Sequence, residues 1–517
     1  MNNPNGLALA LGIALLLVSG VLPAQEPFYR DTSPEIIELR RLYSEAGRVF
    51  PQGATPISRL RLAELALDLE GPGPAALREA LSLDRSVAIR AAVDTTLETY
   101  LETGEREEPF YDQYDRVDPL TEVHLSAQTA GGPALHMRFD LQREYRQNTW
   151  SNVPYPESGN PVPLENDNVR WGVVYLPLSG EDWSFEAVFG RQPVHLGPSP
   201  LGSLGPSRRL PFLDALRVNL HIGDLTMIHV VSQLENRSAP LDTAVIADDP
   251  ATYGYDISRI LFNTHYFEYA FDRLRLGIGA WVLASRPNNY FHLNDYFPVF
   301  SWHNAEIEPK NMCFLGDASY AFLPGLEGYV RIGFDDLRGG GVGVGDTDVP
   351  SIDAYLAGVR YWSFLGERPL VGFAEVGYTH YLWGNYKDDV ALSKAIYRLN
   401  VDNGNQTLPL TSPYGPGVVW LAGSASLAVS DAVRLTLDCE LLSVNTEANL
   451  FTTPYDEDDT VKNADRDILQ RTTIEAAWRP LDNLELALTP GITTNEKDLR
   501  GELEISARSS FSTGGTK

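Results

Sequence analysis

Arg434-Leu435-Thr436-Leu437-Asp438-Cys439-Glu440-Leu441 decides the fold class. The odd positions are apolar and the even ones carry Arg, Thr, Asp and Glu. Side chains of a strand alternate between its two faces, so this is a strand with one greasy face and one charged face. Two settings suit it: a sheet half-exposed to water, or the wall of a barrel with a wet lumen and an apolar exterior. The same alternation recurs in Met137, Phe139 and Leu141 against Arg138, Asp140 and Gln142. It recurs again in Leu484, Leu486 and Leu488 against Glu485, Ala487 and Thr489.

Loop lengths separate the two settings. From Leu135 onward the pattern gives sixteen strands, and short and long connections alternate between them. The short ones are Ser179–Asp182, Gly223-Asp224, Asp272, Leu323–Leu326, Gly366–Arg368, Ser430-Asp431 and Pro480–Asn483. The long ones are 146–168, 191–214, 235–258, 286–311, 337–351, 383–416 and 444–467. All long loops therefore lie on one side and all tight turns on the other, which is how transmembrane barrels are built. A weaker hairpin, Phe110–Gln113 with Glu122–Gln128, raises the count to eighteen. The expected fold is mainly β: a large antiparallel transmembrane barrel of 16–18 strands over residues 110–517, preceded by a small helical bundle. Aromatic residues near strand ends, such as Trp183, Tyr269, Trp362 and Trp478, suit the interfacial girdles of such a wall.

Composition agrees. The chain has 517 residues with 41 basic and 69 acidic side chains, a net charge of −28. That excludes a nucleic-acid partner, which requires a basic footprint. After the N-terminus no apolar run approaches the 18 residues of a membrane helix. The two cysteines, Cys313 and Cys439, lie in strand-like runs and read as small apolar side chains.

Leu7–Val18 is an apolar run followed by Ser-Gly-Val-Leu-Pro-Ala, which reads as an export leader spanning 1–24 with a mature chain starting at Gln25. Residues 25–109 read as helical. Ser33 and Pro34 open a first helix that Gly47 ends. A second helix follows Pro56, a third spans about Pro74–Leu83, and a fourth about Val87–Leu101. A bundle this small has marginal stability alone and is expected to lean on the barrel, in the periplasm or as a plug.

Phe189–Leu213 stands apart from the other long loops. It holds Gly197, Gly202 and Gly205, five prolines including Pro198, and the arginines Arg191, Arg208 and Arg209. Proline fixes φ and glycine permits positive φ, so this is an ordered loop. Its arginines in so acidic a chain suggest a plug folded into the lumen against wall carboxylates, with Arg191, Gly197, Pro198, Arg208 and Arg209 as its marker residues.

Four stretches carry a resemblance. These are 57–70, an arginine-led helix before the barrel; Gly190-Arg191-Gln192 with His195-Leu196-Gly197-Pro198, Gly202-Ser203-Leu204 and Arg209-Leu210-Pro211-Phe212; His265 ahead of Leu276-Gly277-Ile278-Gly279; and Asn311, Leu315-Gly316-Asp317 and Asp335-Asp336. Together they resemble the Wzi-type capsule-assembly outer-membrane proteins, which pair a helical bundle with a large barrel. The resemblance implies a place in the bacterial outer membrane, contact with its lipid, dependence on the barrel-assembly machinery during biogenesis, and a surface polysaccharide as partner.

No catalytic signature is present: there is no His-Glu-x-x-His, Gly-x-Ser-x-Gly or P-loop. Neither an enzyme nor a cofactor is expected. The nine histidines are scattered, and no metal site is expected. Asp456-Glu457-Asp458-Asp459 reads as a solvated loop tip and Gly339–Gly345 as a flexible loop. Sugar recognition uses aromatic faces and hydrogen-bonding groups, and the long loops supply Trp150, Tyr155, Tyr290, Tyr296, Trp302, Trp383 and Tyr386 as candidate glycan contacts. Packing of these loops on one another is the competing use of the same aromatics. The expected function is non-enzymatic binding, attachment or assembly of surface polysaccharide; the alternative is a porin or channel for small solutes.

Overall fold

The structure is a computed structural model that describes residues 27–82, 87–103, 120–129, 132–142, 165–202, 204–237, 258–286, 310–336, 350–386, 394–401, 404–450, 453, 455, 459–495 and 499–514. The expected leader, the Phe110–Gln113 arm, Gly339–Gly345 and Asp456–Asp458 lie outside these residues.

The chain opens with a two-stranded ribbon, β1 (Phe28–Tyr29) and β2 (Ile57–Ser58), and three helices: α1 (Pro34–Glu45), α2 (Arg59–Leu67) and α3 (Pro72–Leu81). Pro34 occupies the first turn of α1, and Gly47 turns the chain out of it at φ 68°. The Ser58 hydroxyl caps α2 by accepting from the Arg61 N–H at 3.1 Å. Ile36, Leu39, Tyr43, Phe50, Leu62, Leu65 and Leu77 form the core of this unit.

The barrel strands follow: β3 (Val87–Glu102), β4 (Thr121–Thr129), β5 (Ala134–Gln142), β6 (Glu165–Ser179), β7 (Trp183–Gln192), β8 (Leu213–Ile222), β9 (Leu225–Arg237), β10 (Ser258–Ala270), β11 (Leu274–Arg286), β12 (Lys310–Leu323), β13 (Leu326–Asp336), β14 (Ile352–Leu365) and β15 (Arg368–Thr379). A hairpin, β16 (Ile396–Val401) and β17 (Gly404–Pro409), interrupts them. The wall resumes with β18 (Val418–Ala428), β19 (Val433–Asn445), β20 (Arg466–Leu481), β21 (Leu484–Thr494) and β22 (Leu499–Gly514), with a short helix α4 (Asp459–Lys462) between β19 and β20. Neighbours pair antiparallel throughout, and β22 pairs with β3, closing a barrel of eighteen strands.

The expected fourth helix is therefore wrong: Val87–Glu102 is β3, and the barrel begins at Val87, not at 110. Alanines and a leucine spacing of four imitate a helix there. The β-branched Val87, Ile89, Val93, Thr95 and Thr99 keep a period of two that a closing strand uses. This strand and β4, not the Phe110–Gln113 hairpin, complete the eighteen.

The wall is inside-out. In β8 the inward set is Leu213, Ala215, Arg217, Asn219 and His221, all buried, while Leu216, Val218, Leu220 and Ile222 point outward. Outward Ile278 and Phe189 are 66% and 65% exposed. Leu435, Leu437 and Leu441 are likewise exposed on the outer face of β19, and the partly buried Asp438 and Glu440 face in. Such an exterior is stable in hydrocarbon and not in water. Exposed aromatics ring the tight-turn end: Trp183, Tyr269, Phe271, Tyr320, Phe322, Tyr361, Phe364 and Trp478. Tyr355 and Tyr378 stack at 6.4 Å toward the long-loop end.

The helical unit closes the tight-turn end. The Val49 N–H donates to the Asp272 carbonyl at 3.0 Å and the Gly325 N–H to the Ser44 carbonyl at 3.1 Å, both in turns. Arg48 pairs with the Asp272 carboxylate at 3.1 Å. Farther in, the Gly53 N–H donates to Glu268 at 2.8 Å, Arg275 to the Phe50 carbonyl at 3.0 Å, and the Ser58 hydroxyl to Glu186. The small bundle thus gains from the wall the burial it lacks alone.

Candidate functional site: a filled lumen and its mouth

The connection between β7 and β8 does not project outward. Its backbone turns into the lumen and forms an antiparallel bridge with the helical unit: the Thr55 N–H donates to the His195 carbonyl at 2.9 Å and the His195 N–H to the Thr55 carbonyl at 3.0 Å. Leu196, Gly197, Pro198, Ser199, Leu204 and Ser207 are all buried.

The wall holds this loop by its carbonyls. Arg331 on β13 donates to the Leu196 carbonyl, and Arg360 on β14 donates to the Pro198 carbonyl. The Trp281 indole on β11 donates to the Leu204 carbonyl at 3.0 Å. Inward carboxylates neutralise the arginines: Glu327 lies 3.0 Å from Arg360 and Asp317 lies 3.9 Å from Arg331. Glu375 accepts from Tyr329 at 3.0 Å, from the Trp420 indole at 3.1 Å and from the Ser199 hydroxyl. Gly197 has φ 105° and its α-carbon is pressed against the Arg331 guanidinium, so both the backbone and the space exclude a side chain there.

The loop's own arginines act differently from the expectation. Arg209 does reach a wall carboxylate, Glu440 at 3.5 Å, and lies over the Tyr414 ring at 4.9 Å. Arg208 pairs at 3.1 Å with Asp31 of the helical unit, not with the wall. Arg191 does not face the lumen. In the β7–β8 register Gly190, Gln192, Leu213 and Ala215 point in, so Arg191 and its partner Asp214 point out. The pair is bidentate at 2.8 and 3.0 Å, and Arg191 lies 3.9 Å over the Phe212 ring. The period of two that places Phe189 outside places Arg191 outside with it.

Burial shifts the ionisation of the loop and of what it meets. Burial pushes His195 down to about 3, with Arg208, Arg331 and Arg40 adding to the fall and Asp31 opposing it. Asp31 is raised by burial but lowered more by Arg208, His195, Arg40 and Arg360, ending below its ordinary value. Arg40 falls to about 9, chiefly through burial.

Above the loop, residues 380–386, 394–401 and 404–417 form a lid that shares its core. The Ser207 N–H donates to the Leu410 carbonyl at 2.8 Å, joining loop to lid. Leu382, Trp383, Tyr397, Leu408, Leu410 and Tyr414 share one core with Leu196, Leu204 and Phe212. The Gly384 N–H donates to Asp335 at 2.9 Å, and Asn385 to the Thr453 carbonyl at 2.8 Å. Trp383 is 1% exposed and packs on Gly333. It is a core residue of the lid, not a surface glycan contact. Tyr386 is partly buried, with its ring 6.3 Å from that of Tyr455. Trp150, Tyr155, Tyr290, Tyr296 and Trp302 lie outside the described residues.

Reading the sequence missed Trp281, Arg331 and Arg360 as anchors. The signal was present: Glu327, Tyr329 and Arg331 alternate with Gly328, Val330 and Ile332, which marks the charged set as inward.

Comparison with solved structures recovers this architecture. Wzi, described as an outer-membrane protein involved in group 1 capsule assembly in Escherichia coli and a carbohydrate-binding β-barrel, aligns over 93% of this chain and 99% of its own, with a TM-score of 0.60 and 13% identity. The barrel has the fold of Wzi. Pseudomonas aeruginosa OccK9 covers 83% of this chain and 98% of its own at TM-score 0.42 and 11% identity. A BenF-like porin from Pseudomonas fluorescens covers 82% and 99% at TM-score 0.40 and 10% identity. No family model matches the sequence, and no curated protein matches it. The closed wall, its apolar exterior and the shared fold make this a barrel of the bacterial outer membrane, in contact with its lipid.

Proposed function

We propose that this protein is a non-catalytic outer-membrane barrel that binds surface polysaccharide at its long-loop mouth and helps attach or assemble it there. The observation that carries the reading is the filled lumen. A porin needs a continuous aqueous path, and sixteen to eighteen strands provide one only when nothing occupies it. Here the described parts of the β7–β8 loop (Val194, Leu196, Leu204, Leu210, Phe212), the lid (Leu382, Trp383, Tyr397, Leu408, Leu410, Tyr414) and the helical unit pack into one side of the barrel. A polysaccharide bound outside needs only the outer surface, where Tyr386 and, on the reading of the sequence, Trp150, Tyr155, Tyr290, Tyr296 and Trp302 would supply stacking faces. The fold shared with a carbohydrate-binding barrel supports the same choice. Delivery to the membrane would run through the barrel-assembly machinery, as for any closed wall of this kind.

The porin reading keeps one supporting observation. The inward side chains of β19 and β20, among them Thr436, Asp438, Thr473 and Glu475, are only partly buried, so the lumen is less densely filled on that side. One pair of measurements decides: retention of purified capsular or exopolysaccharide on the immobilised barrel, and conductance in planar bilayers. Glycan retention without steady open channels supports the proposal. Steady ohmic channels without retention would replace it with the porin.

A further inference from the structure

Asp94, Glu122 and His124 meet on the lumen face of β3 and β4, their ligand atoms all within 4.8 Å of one another. The face is fixed by register. Glu122, His124, Ser126 and Gln128 share one side of β4, and Gln128 accepts from Arg59 of the helical unit at 3.2 Å. His124 Nε2 lies 3.0 Å from Asp94 Oδ2 and 3.7 Å from Glu122 Oε2. Donors around a tetrahedral zinc ion stand about 3.3 Å apart, so these separations bracket what one ion requires.

Two further observations point to an ion. His136 on β5 is 3% exposed, and its Nδ1 has no hydrogen-bond partner. Its ring centroid is 6.4 Å from that of His124, near the about 5–6 Å at which imidazoles sharing one zinc stand; its nitrogens lie outside the 4.8 Å group of Asp94, Glu122 and His124, and it would join them on turning its side chain. A buried imidazole nitrogen without a partner is costly and calls for one. Second, Asp94 and Glu122 are directly opposed across the β3–β4 ladder. Like charges in that position destabilise a sheet unless a cation lies between them. Arg138 pairs with the other oxygen of Glu122, the role of an outer group that orients a ligand.

We propose that Asp94, Glu122, His124 and His136 form a binding site for a divalent transition-metal ion, with zinc as the fitting probe. Two imidazoles and two carboxylates suit an ion of intermediate softness and not calcium or magnesium, which take oxygen donors. The ion would join β3, β4 and β5 beside the helical unit, where His136 packs edge-on at 4.8 Å against Trp171 and Trp171 against Phe28. The sequence cue is Glu-x-His at 122 and 124, two ligands on one strand face.

The test uses the full chain in detergent, purified without a histidine tag, stripped with chelator and dialysed. Zn²⁺ is titrated calorimetrically and bound metal is counted by atomic emission. One ion per chain is expected. His124→Ala should weaken binding at least a hundredfold, and His136→Phe, which keeps the ring packing on Trp171, at least tenfold. Each variant is read only in chains that keep the heat-modifiable gel shift of a folded barrel, with Asp94→Asn replacing His124→Ala if the latter fails to assemble. Wild-type chain that binds no stoichiometric zinc overturns the proposal. Binding unchanged in the assembled variants also overturns it, by placing the ion elsewhere.

Discussion

Arg360 bridges wall and plug: one terminal nitrogen holds Glu327 of the neighbouring strand at 3.0 Å, and the other donates to the carbonyl of Pro198. Arg331 repeats the arrangement one strand away, on the Leu196 carbonyl. The loop is thus held by its backbone, and the charge that holds it belongs to the wall. Arginine suits the task because its fork presents several donors in a fixed plane and stays charged.

Removing these anchors should open the barrel. Arg360→Ala leaves Glu327 buried without its partner, a loss on the order of 3–5 kcal/mol for a buried pair. The double variant Arg331→Ala/Arg360→Ala should retain the heat-modifiable gel shift while planar-bilayer conductance rises well above wild type. An assembled double variant with wild-type conductance would show that the loop is held by packing alone.

The three arginines of the loop should not behave alike. Arg191 faces outward on Asp214, where an exposed pair is worth about 0–1 kcal/mol. Arg191→Ala should leave conductance unchanged. Arg208→Ala/Arg209→Ala severs the contacts to Asp31 and Glu440 and should raise conductance modestly, less than loss of the two wall arginines. An equal effect from Arg191→Ala would mean that the outward register of β7 is wrong.

The contrast between these arginines marks where the sequence was legible. Alternation in Arg434–Leu441 and the sorting of loops by length sufficed for the barrel, because both follow from a wall that is wet on one side and greasy on the other. Val87–Glu102 was misread because its alanines and leucines satisfy a helical spacing as well; only ring closure with β22 decides between them. Arg191 departs from the expected lumen role because strand parity, not residue type, sets the side it faces. The pairing of Arg331 with Leu196 joins residues 135 positions apart, and no local pattern announces it. The hairpin Ile396–Pro409 was hidden inside what read as one long loop. Asp94, Glu122 and His124 are legible only as separate residues, since the helical spacing of Val87–Glu102 hides the face they share.

Leu437 and Asp438 test the parity of the wall within one dipeptide. Leu437 is 42% exposed on the outer face, and Leu437→Arg should impair assembly, since arginine at a lipid-facing midplane costs about 2–4 kcal/mol. Asp438→Asn changes a lumen side chain and should assemble normally. The readout is the fraction of heat-modifiable barrel in outer-membrane preparations. Normal assembly of Leu437→Arg beside failure of Asp438→Asn would reverse the assignment of faces.

Acidification should undock the loop, with His195 as the first group to respond. Docked, its imidazole is held down to about 3 by burial among Arg208, Arg331 and Arg40, with Asp31 as the opposing charge. Undocked, it returns to about 6.5. Between these values the undocked state binds a proton that the docked state refuses. Docking is therefore at full strength above pH 6.5 and weakens as pH falls toward 3, by at most about tenfold per unit. Asp31 works lower. Its docked value lies below the ordinary carboxylate range, so its contribution persists through pH 5 and is lost only as pH falls through that depressed value. Conductance measured at pH 7.0, 5.5 and 4.5 should rise progressively in the wild type. His195→Asn keeps the backbone bridge to Thr55 and removes the titrating ring, so its conductance should stay flat over the same interval and rise only below about pH 4. A wild-type rise reproduced in full by His195→Asn would remove His195 as the sensor, and a wild type indifferent to pH would show that the loop stays docked with the ring neutral, so that protonation of His195 does not control docking.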